Sequence, residues 1–149
     1  MTSVPDLVEQ LLHDHWMFER LLDRLEEEED PHSVRHLLLD LGELLACHEA
    51  VEQELVFPLV GDEATAGRQD EHQEINLLVH EMGGLATPGL PFRKRACALA
   101  LQLRAHLRVE EETVLPALRE LVSPDDLAVL GERAWEVRRW APALPALSC

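Results

Sequence analysis

The chain of 149 residues is poor in aromatic residues and cysteine, and it contains no tyrosine. Without tyrosine, neither a tyrosyl radical nor a tyrosine metal ligand is available. The three cysteines are widely spaced and form no CxxC pair, which argues against a disulfide framework or a zinc finger. Free thiols of this kind are typical of a reducing compartment, so we expect a cytoplasmic protein.

Basic residues and long apolar runs are also scarce. Thirteen Lys and Arg residues stand against 29 Asp and Glu residues, which gives a net charge of −16. Such a surface repels phosphate groups, so we expect neither a nucleic-acid partner nor an anionic membrane partner. No apolar run approaches the ~20 residues that span a bilayer. The N-terminal stretch MTSVPDLVEQ also lacks the basic start and apolar core of a signal peptide.

Leucine dominates the apolar residues and β-branched residues are few, which favours helices over strands. Helix breaks are predicted at four places: Asp30-Pro31, 61–67, 83–91 and 123–126. We therefore predict an all-α, up-down-up-down four-helix bundle with a short C-terminal fifth helix. The bundle would cover about 4–122, and the fifth helix and a loose tail 123–149. Together they would form a single domain, 1–149.

Two segments repeat each other at an offset of 58 residues, HEAVEQELVFPLV from His48 and HLRVEEETVLPAL from His106. In each, a glutamate (Glu52 or Glu110) follows the histidine by four residues, so both side chains leave the same helix face. That face is otherwise apolar, and in the first copy it would include Leu59. Histidine and ionised glutamate are costly on a core face unless they are compensated. Two such pairs in register predict a metal site, and a His–Glu hydrogen-bond network is the alternative.

The repeat extends to the other two helices, because Asp14-His15 and Glu71-His72 match at an offset of 57. Six side chains are therefore expected on the inner faces: His15, His48, Glu52, His72, His106 and Glu110. Two octahedral ions need about twelve coordination positions. Four imidazoles, two bridging carboxylates and a shared oxide or hydroxide fill about ten of them. The other positions could take water, dioxygen, peroxide or nitric oxide, and the donor set suits iron better than zinc or manganese.

The order of a lone His, His-x-x-x-Glu, a second lone His, and His-x-x-x-Glu followed by proline resembles the hemerythrin-like (HHE cation-binding) domain family. The resemblance covers roughly residues 8–120. It implies a four-helix bundle that holds two iron ions with an oxo or hydroxo bridge. It also implies a role for each ligand: bridging by Glu52 and Glu110, one iron near His15 and His48, and the other near His72 and His106.

The chain departs from the oxygen carriers of this family. Carriers have a second histidine one turn after the third-helix histidine, where this chain has Asn76. They often place the last carboxylate five residues after its histidine, at Glu111 here, whereas the internal repeat favours Glu110. Glu19, four residues after His15, is a further candidate ligand, as are Asn76 and Glu111. The missing histidine predicts an additional open position at the iron.

Three functions remain open from the sequence. The first is an enzyme, catalase-like or another di-iron oxidoreductase, that acts on peroxide, dioxygen or nitric oxide. The second is a dioxygen sensor or carrier without turnover, and the third is an iron reservoir or structural metal bundle. Because Asn76 argues against reversible carriage, we favour a protein that binds or reacts with a small oxidant, peroxide or dioxygen, at an open iron position.

Overall fold

The computed structural model describes residues 4–85 and 89–141. In chain order its elements are α1 (Leu7–Glu27), α2 (Pro31–Val51), the π-helical segment π1 (Glu52–Val56), α3 (Phe57–Val60), α4 (Asp62–Thr65), α5 (Arg68–Gly83), α6 (Leu90–Val109), the π-helical segment π2 (Glu110–Val114), α7 (Leu115–Leu121) and α8 (Pro124–Trp140). The predicted all-α bundle with a C-terminal fifth helix is confirmed. The tail that was expected to be loose lies mostly outside the described residues.

Local sequence explains where the long helices begin. Asp6 caps α1 through a reciprocal pair of contacts, in which Glu9 N–H donates to Asp6 Oδ1 at 2.8 Å and Asp6 N–H donates to Glu9 Oε1 at 3.3 Å. Asp30 caps α2 and Ser123 caps α8, and a proline follows each cap. Proline is well placed there, because the first N–H groups of a helix have no partner within it.

The four long rods of the bundle are α1, α2 with its continuation, α5, and α6 with its continuation. Contacts join α1 to α2, α2 to α5, α5 to α6 and α6 to α1, so the rods form a closed ring. The fifth helix, α8, packs against α1 and α2. Within the described part of the chain, no helix has both the length and the apolar character needed to cross a lipid bilayer.

Two apolar layers fill the bundle. One is built around Phe18, Leu41 and Leu99, and the other around Leu11, Val51 and Leu118. Along α1, His15 lies between Leu11 of one layer and Phe18 of the other. The histidines of the other rods occupy the same level, so the buried histidines form a zone between two water-excluding layers.

The two π-helical segments begin at the two glutamates of the repeat. Phe57 N–H donates to Glu52 O, and Leu115 N–H donates to Glu110 O, five residues back in both rods. A proline follows each of these donors. Its missing N–H and its ring disfavour the ordinary α-helical turn, and the wider turn accommodates both. Each rod therefore continues past its proline.

The π turn corrects one sequence expectation. Leu59 was placed on the inner face by uninterrupted α-helical spacing, but it is 45% exposed, whereas Val56 is fully buried. A π turn contains about one more residue than an α turn, so the inward positions after it fall one residue later in the chain, and Val60 rather than Leu59 packs against the core. The glutamate at the start of the turn keeps its inward position.

Candidate metal centre

A buried cluster of histidine and glutamate side chains lies between the two apolar layers. Each member is at most 5% exposed. All four rods contribute: His15 from α1, His48 and Glu52 from α2 and π1, His72 from α5, and His106 and Glu110 from α6 and π2. The structure thus brings together all six residues that the sequence predicted as ligands.

The ligand atoms fall into two groups that share one carboxylate. One group contains Glu52, His72, His106 and Glu110, and the other contains His15, His48 and Glu110. Within each group, one ligand atom per residue lies within 4.8 Å of all the others. The pairing of His15 with His48, and of His72 with His106, is the pairing that the family resemblance implied.

Both glutamates face the two histidine pairs at once. Glu110 Oε1 lies 3.1 Å from His15 Nε2 and 3.3 Å from His48 Nε2, and Glu110 Oε2 lies 3.4 Å from His106 Nε2. Glu52 Oε1 lies 3.1 Å from His72 Nε2 and 3.3 Å from His48 Nε2. Each carboxylate therefore lies between the two histidine pairs.

Unpaired buried atoms test whether a metal fits this cluster. His106 Nε2 and Glu110 Oε2 are both buried and, within the described residues, neither makes a hydrogen bond. An unsatisfied buried polar atom costs roughly 1–3 kcal/mol. The two atoms lie 3.4 Å apart but form no hydrogen bond with each other, so the His–Glu network alone leaves both unsatisfied among the described residues. Imidazole nitrogen and carboxylate oxygen are, by contrast, ordinary ligands of iron, zinc and manganese. The donor set therefore fits metal ions.

Carboxylates outside the cluster orient two of the histidines, His48 and His106, through their Nδ1 atoms. Asp14 Oδ2 accepts from His48 Nδ1 at 2.9 Å, and Glu71 Oε1 accepts from His106 Nδ1 at 3.1 Å. Such a bond fixes the hydrogen on Nδ1 and leaves Nε2 free to bind a metal. Asp14 and Glu71 occupy equivalent positions in the sequence repeat, and this equivalence could have indicated a shared role. Their spacing from the histidines did not indicate one, so the sequence analysis assigned them no function.

Two arginines hold these outer carboxylates. Arg138 of α8 donates to both oxygens of Asp14, at 3.1 Å and 2.8 Å. Arg68 Nε lies 2.8 Å from Glu71 Oε1. Sequence reasoning missed both arginines. Arg68 lies one turn before Glu71, but Arg138 has no periodic relation to any histidine and could be found only from the tertiary fold.

The three further candidate ligands lie at the edge of the cluster or outside it. Glu19 is paired with Arg104 at 2.9 Å, and its side chain is 47% exposed. Asn76 Nδ2 donates to Glu49 Oε2 at 2.9 Å. Glu111 Oε2 accepts from His15 Nδ1 at 3.1 Å, so Glu111 contacts His15 on the ring nitrogen opposite the cluster. The buried Glu49 had not been singled out from the sequence.

Burial and hydrogen bonding give the histidines different proton affinities. Burial alone would lower the pKa of His48, but hydrogen bonds to Asp14 and Glu110 raise it to about 9. Burial lowers the pKa of His72 to about 4. Burial would raise the pKa of Glu110, but hydrogen bonds from His15 and His48 hold it below its usual value. Without metal, a protonated His48 therefore balances an ionised Glu110, and metal binding must displace that proton.

Aromatic rings pack against two of the histidines. Phe18 meets His48 edge-on with ring centroids 5.3 Å apart, and Phe57 stacks on His72 at 5.8 Å. Both phenylalanines are buried. They shield the cluster from water on the sides facing the two apolar layers, which strengthens electrostatic interactions within it.

Residues 6–118 match the family model described as the Hemerythrin HHE cation binding domain. The chain therefore belongs to this family of cation-binding helical domains. Helix α8 lies beyond the matched residues.

One solved structure and one protein sequence are similar to this chain. A crystal structure of a hemerythrin HHE cation binding domain-containing protein from Mycobacterium kansasii has the same fold. Its TM-score is 0.82 at 19% identity, covering 93% of this chain and 88% of that chain. A DNA nickase from Nostoc sp. (strain PCC 7120 / SAG 25.82 / UTEX 2576) is 26% identical over 116 residues. That match takes in 75% of this chain and 33% of the nickase, so the chain spans about a third of that relative's length.

Proposed function

We propose that this protein holds two iron ions and binds or reacts with a small oxidant, peroxide or dioxygen, with nitric oxide as a further candidate. The observation that carries the proposal is the convergence of six buried donors, from all four rods, into two groups that share Glu110. It is supported by Nε2 of His106 and Oε2 of Glu110, which have no hydrogen-bond partner within residues 4–85 and 89–141. Family membership supports cation binding in general.

Each side chain has a definite role in this proposal. Glu52 and Glu110 would bridge the ions, with one ion at His15 and His48 and the other at His72 and His106. When bound, the two irons would supply a redox-active centre with coordination positions for the oxidant. Iron is favoured over zinc or manganese by the combination of four imidazoles with carboxylates.

Asn76 supports reaction over reversible carriage. It occupies the position where the oxygen carriers have an additional histidine, and its amide donates to Glu49. Among the described residues, the His72 and His106 side of the cluster thus has two imidazoles rather than three. The coordination position that this leaves is where we place the oxidant.

The surrounding residues would control water and protons. The layers that include Phe18 and Phe57 keep bulk water from the histidines on two sides. Glu111 offers a route for protons, because its half-exposed carboxylate accepts from Nδ1 of the buried His15. A proton could pass between solvent and this ring nitrogen without opening the bundle.

The alternative functions make different demands on the same site. A dioxygen sensor or carrier would bind its ligand without turnover, and an iron reservoir or structural bundle would not need an open position. The name of the Nostoc relative gives no reason to propose DNA cleavage here, because the chain spans only a third of that protein. The net charge of −16 also disfavours a phosphate backbone as partner.

We further propose that the chain is one domain and that it works in the cytoplasm. The close packing of α8 against α1 and α2 supports the first point. The second is supported by Cys47 and Cys97, which are free thiols, as expected in a reducing compartment.

Metal analysis together with absorption spectra of the ferric, reduced and peroxide-treated protein tests the proposal. Two irons per chain, gas evolution from peroxide and recovery of the ferric spectrum are expected for an enzyme. A stable, reversible oxygenated form would establish the binder instead. Zinc with no redox-active absorption band would leave only a structural role. As a matched pair, Glu110→Ala should lose metal, whereas Glu19→Ala should keep both ions.

A further inference from the structure

We propose that α8 completes one half of the metal centre, with Arg138 acting as a positioning residue for His48 through Asp14. This inference depends on the proposed metal-binding function and extends it to a helix outside the family match of residues 6–118. It assigns a role to the C-terminal helix that neither the bundle nor the histidine pattern requires.

Arg138, Asp14 and His48 are linked in series by hydrogen bonds. The Arg138 guanidinium donates to Asp14 Oδ1 at 3.1 Å and to Asp14 Oδ2 at 2.8 Å. The same Oδ2 accepts from His48 Nδ1 at 2.9 Å. A bidentate contact between guanidinium and carboxylate fixes the plane of the carboxylate as well as its position. The plane of Asp14 in turn sets the direction in which His48 Nε2 points.

Burial makes these hydrogen bonds sensitive to the loss of any one of the three side chains. The Asp14 side chain is 5% exposed and the Arg138 side chain is 15% exposed, so little water is available to replace either partner. Among the described residues, His48 and Arg138 are the only side chains that hydrogen-bond to Asp14. If the guanidinium is removed, the carboxylate is held only by the imidazole that it is meant to orient.

The internal repeat provides a built-in comparison. On the other side of the cluster, Glu71 accepts from His106 Nδ1 at 3.1 Å and lies 2.8 Å from Arg68 Nε. Both halves therefore place an arginine, a carboxylate and a histidine in the same order, although among the described residues Arg68 Nε contacts Glu71 as an ion pair without a hydrogen bond. They differ in the source of the arginine, because Arg68 belongs to α5 of the bundle itself. Only the half containing His48 depends on α8.

Helix α8 is firmly placed against the start of α1. Gln10 Nε2 donates to Gly131 O at 2.7 Å and to Pro5 O at 2.9 Å, which ties the two segments together. Ala134 and Val137 of α8 are buried in the same apolar layer as Leu7. The position of Arg138 is thus set by the close packing of the two turns of α8 that precede it, as a positioning role requires.

The test is a titration of the metal-free protein with Fe²⁺ under anaerobic conditions, following the two binding steps separately. Arg138→Gln should leave one step unchanged and weaken the other about tenfold, the lower end of the effect of mutating groups that orient metal ligands. Arg138→Lys should recover part of the affinity lost in Arg138→Gln, because it restores the positive charge without the bidentate contact. Arg139→Gln, at an exposed neighbouring position, is the matched control and should bind both ions like wild type.

A variant of the other arginine distinguishes the two halves of the cluster. Arg68→Gln should weaken the binding step that Arg138→Gln leaves unchanged, and the double variant of Arg68 and Arg138 should weaken both steps. All titrations use a His36→Gln background, and the protein carrying this change alone is the wild-type reference, since Nε2 of the exposed His32 and Nε2 of His36 lie 3.1 Å apart and could take up additional metal. Circular dichroism confirms that each variant is folded, and Arg138→Lys replaces Arg138→Gln if the latter is not.

The outcomes separate this inference from the function on which it depends. If the wild-type protein binds fewer than two ions, the proposed metal centre is wrong. If wild type binds two ions and Arg138→Gln binds both with unchanged affinity, the metal centre stands and the positioning role of α8 is overturned. A selective loss of one step, absent in Arg139→Gln, supports the inference.

Discussion

Replacing Gly131 with alanine should destabilise the protein, although Gly131→Ala would normally strengthen a helix. Gly131 lies inside α8 and is buried against the start of α1. A Cβ atom at this position would lie 2.3 Å from Pro5 O, 3.0 Å from Asp6 Cα and 3.1 Å from Asp6 C. All three neighbours are backbone atoms, so no side chain can rotate away to make room. Helix α8 would have to shift away from α1.

The size of the effect follows from two opposing contributions. Alanine gains about 1 kcal/mol over glycine in a helix interior. Overpacking a well-filled core typically costs about 1–3 kcal/mol, and contact with fixed backbone belongs at the upper end of that range. The net loss should be about 1–2 kcal/mol. In a protein of this size that lowers the melting temperature by roughly 2–8 °C.

Gly42→Ala is the matched control, because Gly42 also lies inside a helix. The nearest atom to a Cβ at Gly42 is Val79 Cγ1 at 4.0 Å, an ordinary van der Waals contact. At this position the higher helix propensity of alanine should dominate, so the free energy of unfolding should rise by up to about 1 kcal/mol. The two variants carry the same chemical change and are expected to move stability in opposite directions.

Urea unfolding at equal metal loading measures both variants, since bound metal adds stability of its own. Fe²⁺ titration of Gly131→Ala should also show a weaker binding step, because the shift of α8 carries Arg138 with it. If Gly131→Ala is as stable as Gly42→Ala or more so, the close packing of α8 against α1 is refuted.

Three further perturbations test the cap of α1, the buried histidines and the metal ligands. Asp6→Ala removes the cap of α1 and should cost about 1 kcal/mol in urea unfolding, whereas an unchanged midpoint would show that the cap contributes nothing. The stability of the metal-free protein should peak near pH 6.5. The contribution of His48 is lost as pH rises from 6.5 towards its folded pKa of about 9, and that of His72 is lost as pH falls from 6.5 towards about 4. Urea midpoints across this range that rise steadily in one direction would contradict that assignment. Chelation of the metal should lower the melting temperature of wild type and leave Glu110→Ala unchanged, and equal shifts in both would argue against Glu110 as a ligand.

The helices and the inward histidines could be predicted because both depend on local spacing. Residues four apart share a helix face, so the repeat of His48-Glu52 in His106-Glu110 identified two inner faces directly. Prolines and glycines marked the ends of the helices because their effects on the backbone are local. All six predicted ligands lie in the buried cluster for this reason.

The remaining features depend on tertiary contacts or on departures from α-helical spacing. Leu59 was placed inward because the π turn before Pro58 has no distinct pattern in the sequence. The link from Arg138 to Asp14 spans 124 positions and follows no periodicity. Glu49 and Asn76 were recognisable as polar residues, but their hydrogen bond required the packing of α2 against α5.

The most direct test of the proposed di-iron centre is a crystal structure of the iron-loaded protein with anomalous scattering measured at the iron absorption edge. Two peaks per chain are expected, both bordered by Glu110, with His15 and His48 at one and His72 and His106 at the other. A single peak, or iron-loaded crystals in which these side chains only hydrogen-bond to one another, would contradict the proposed centre.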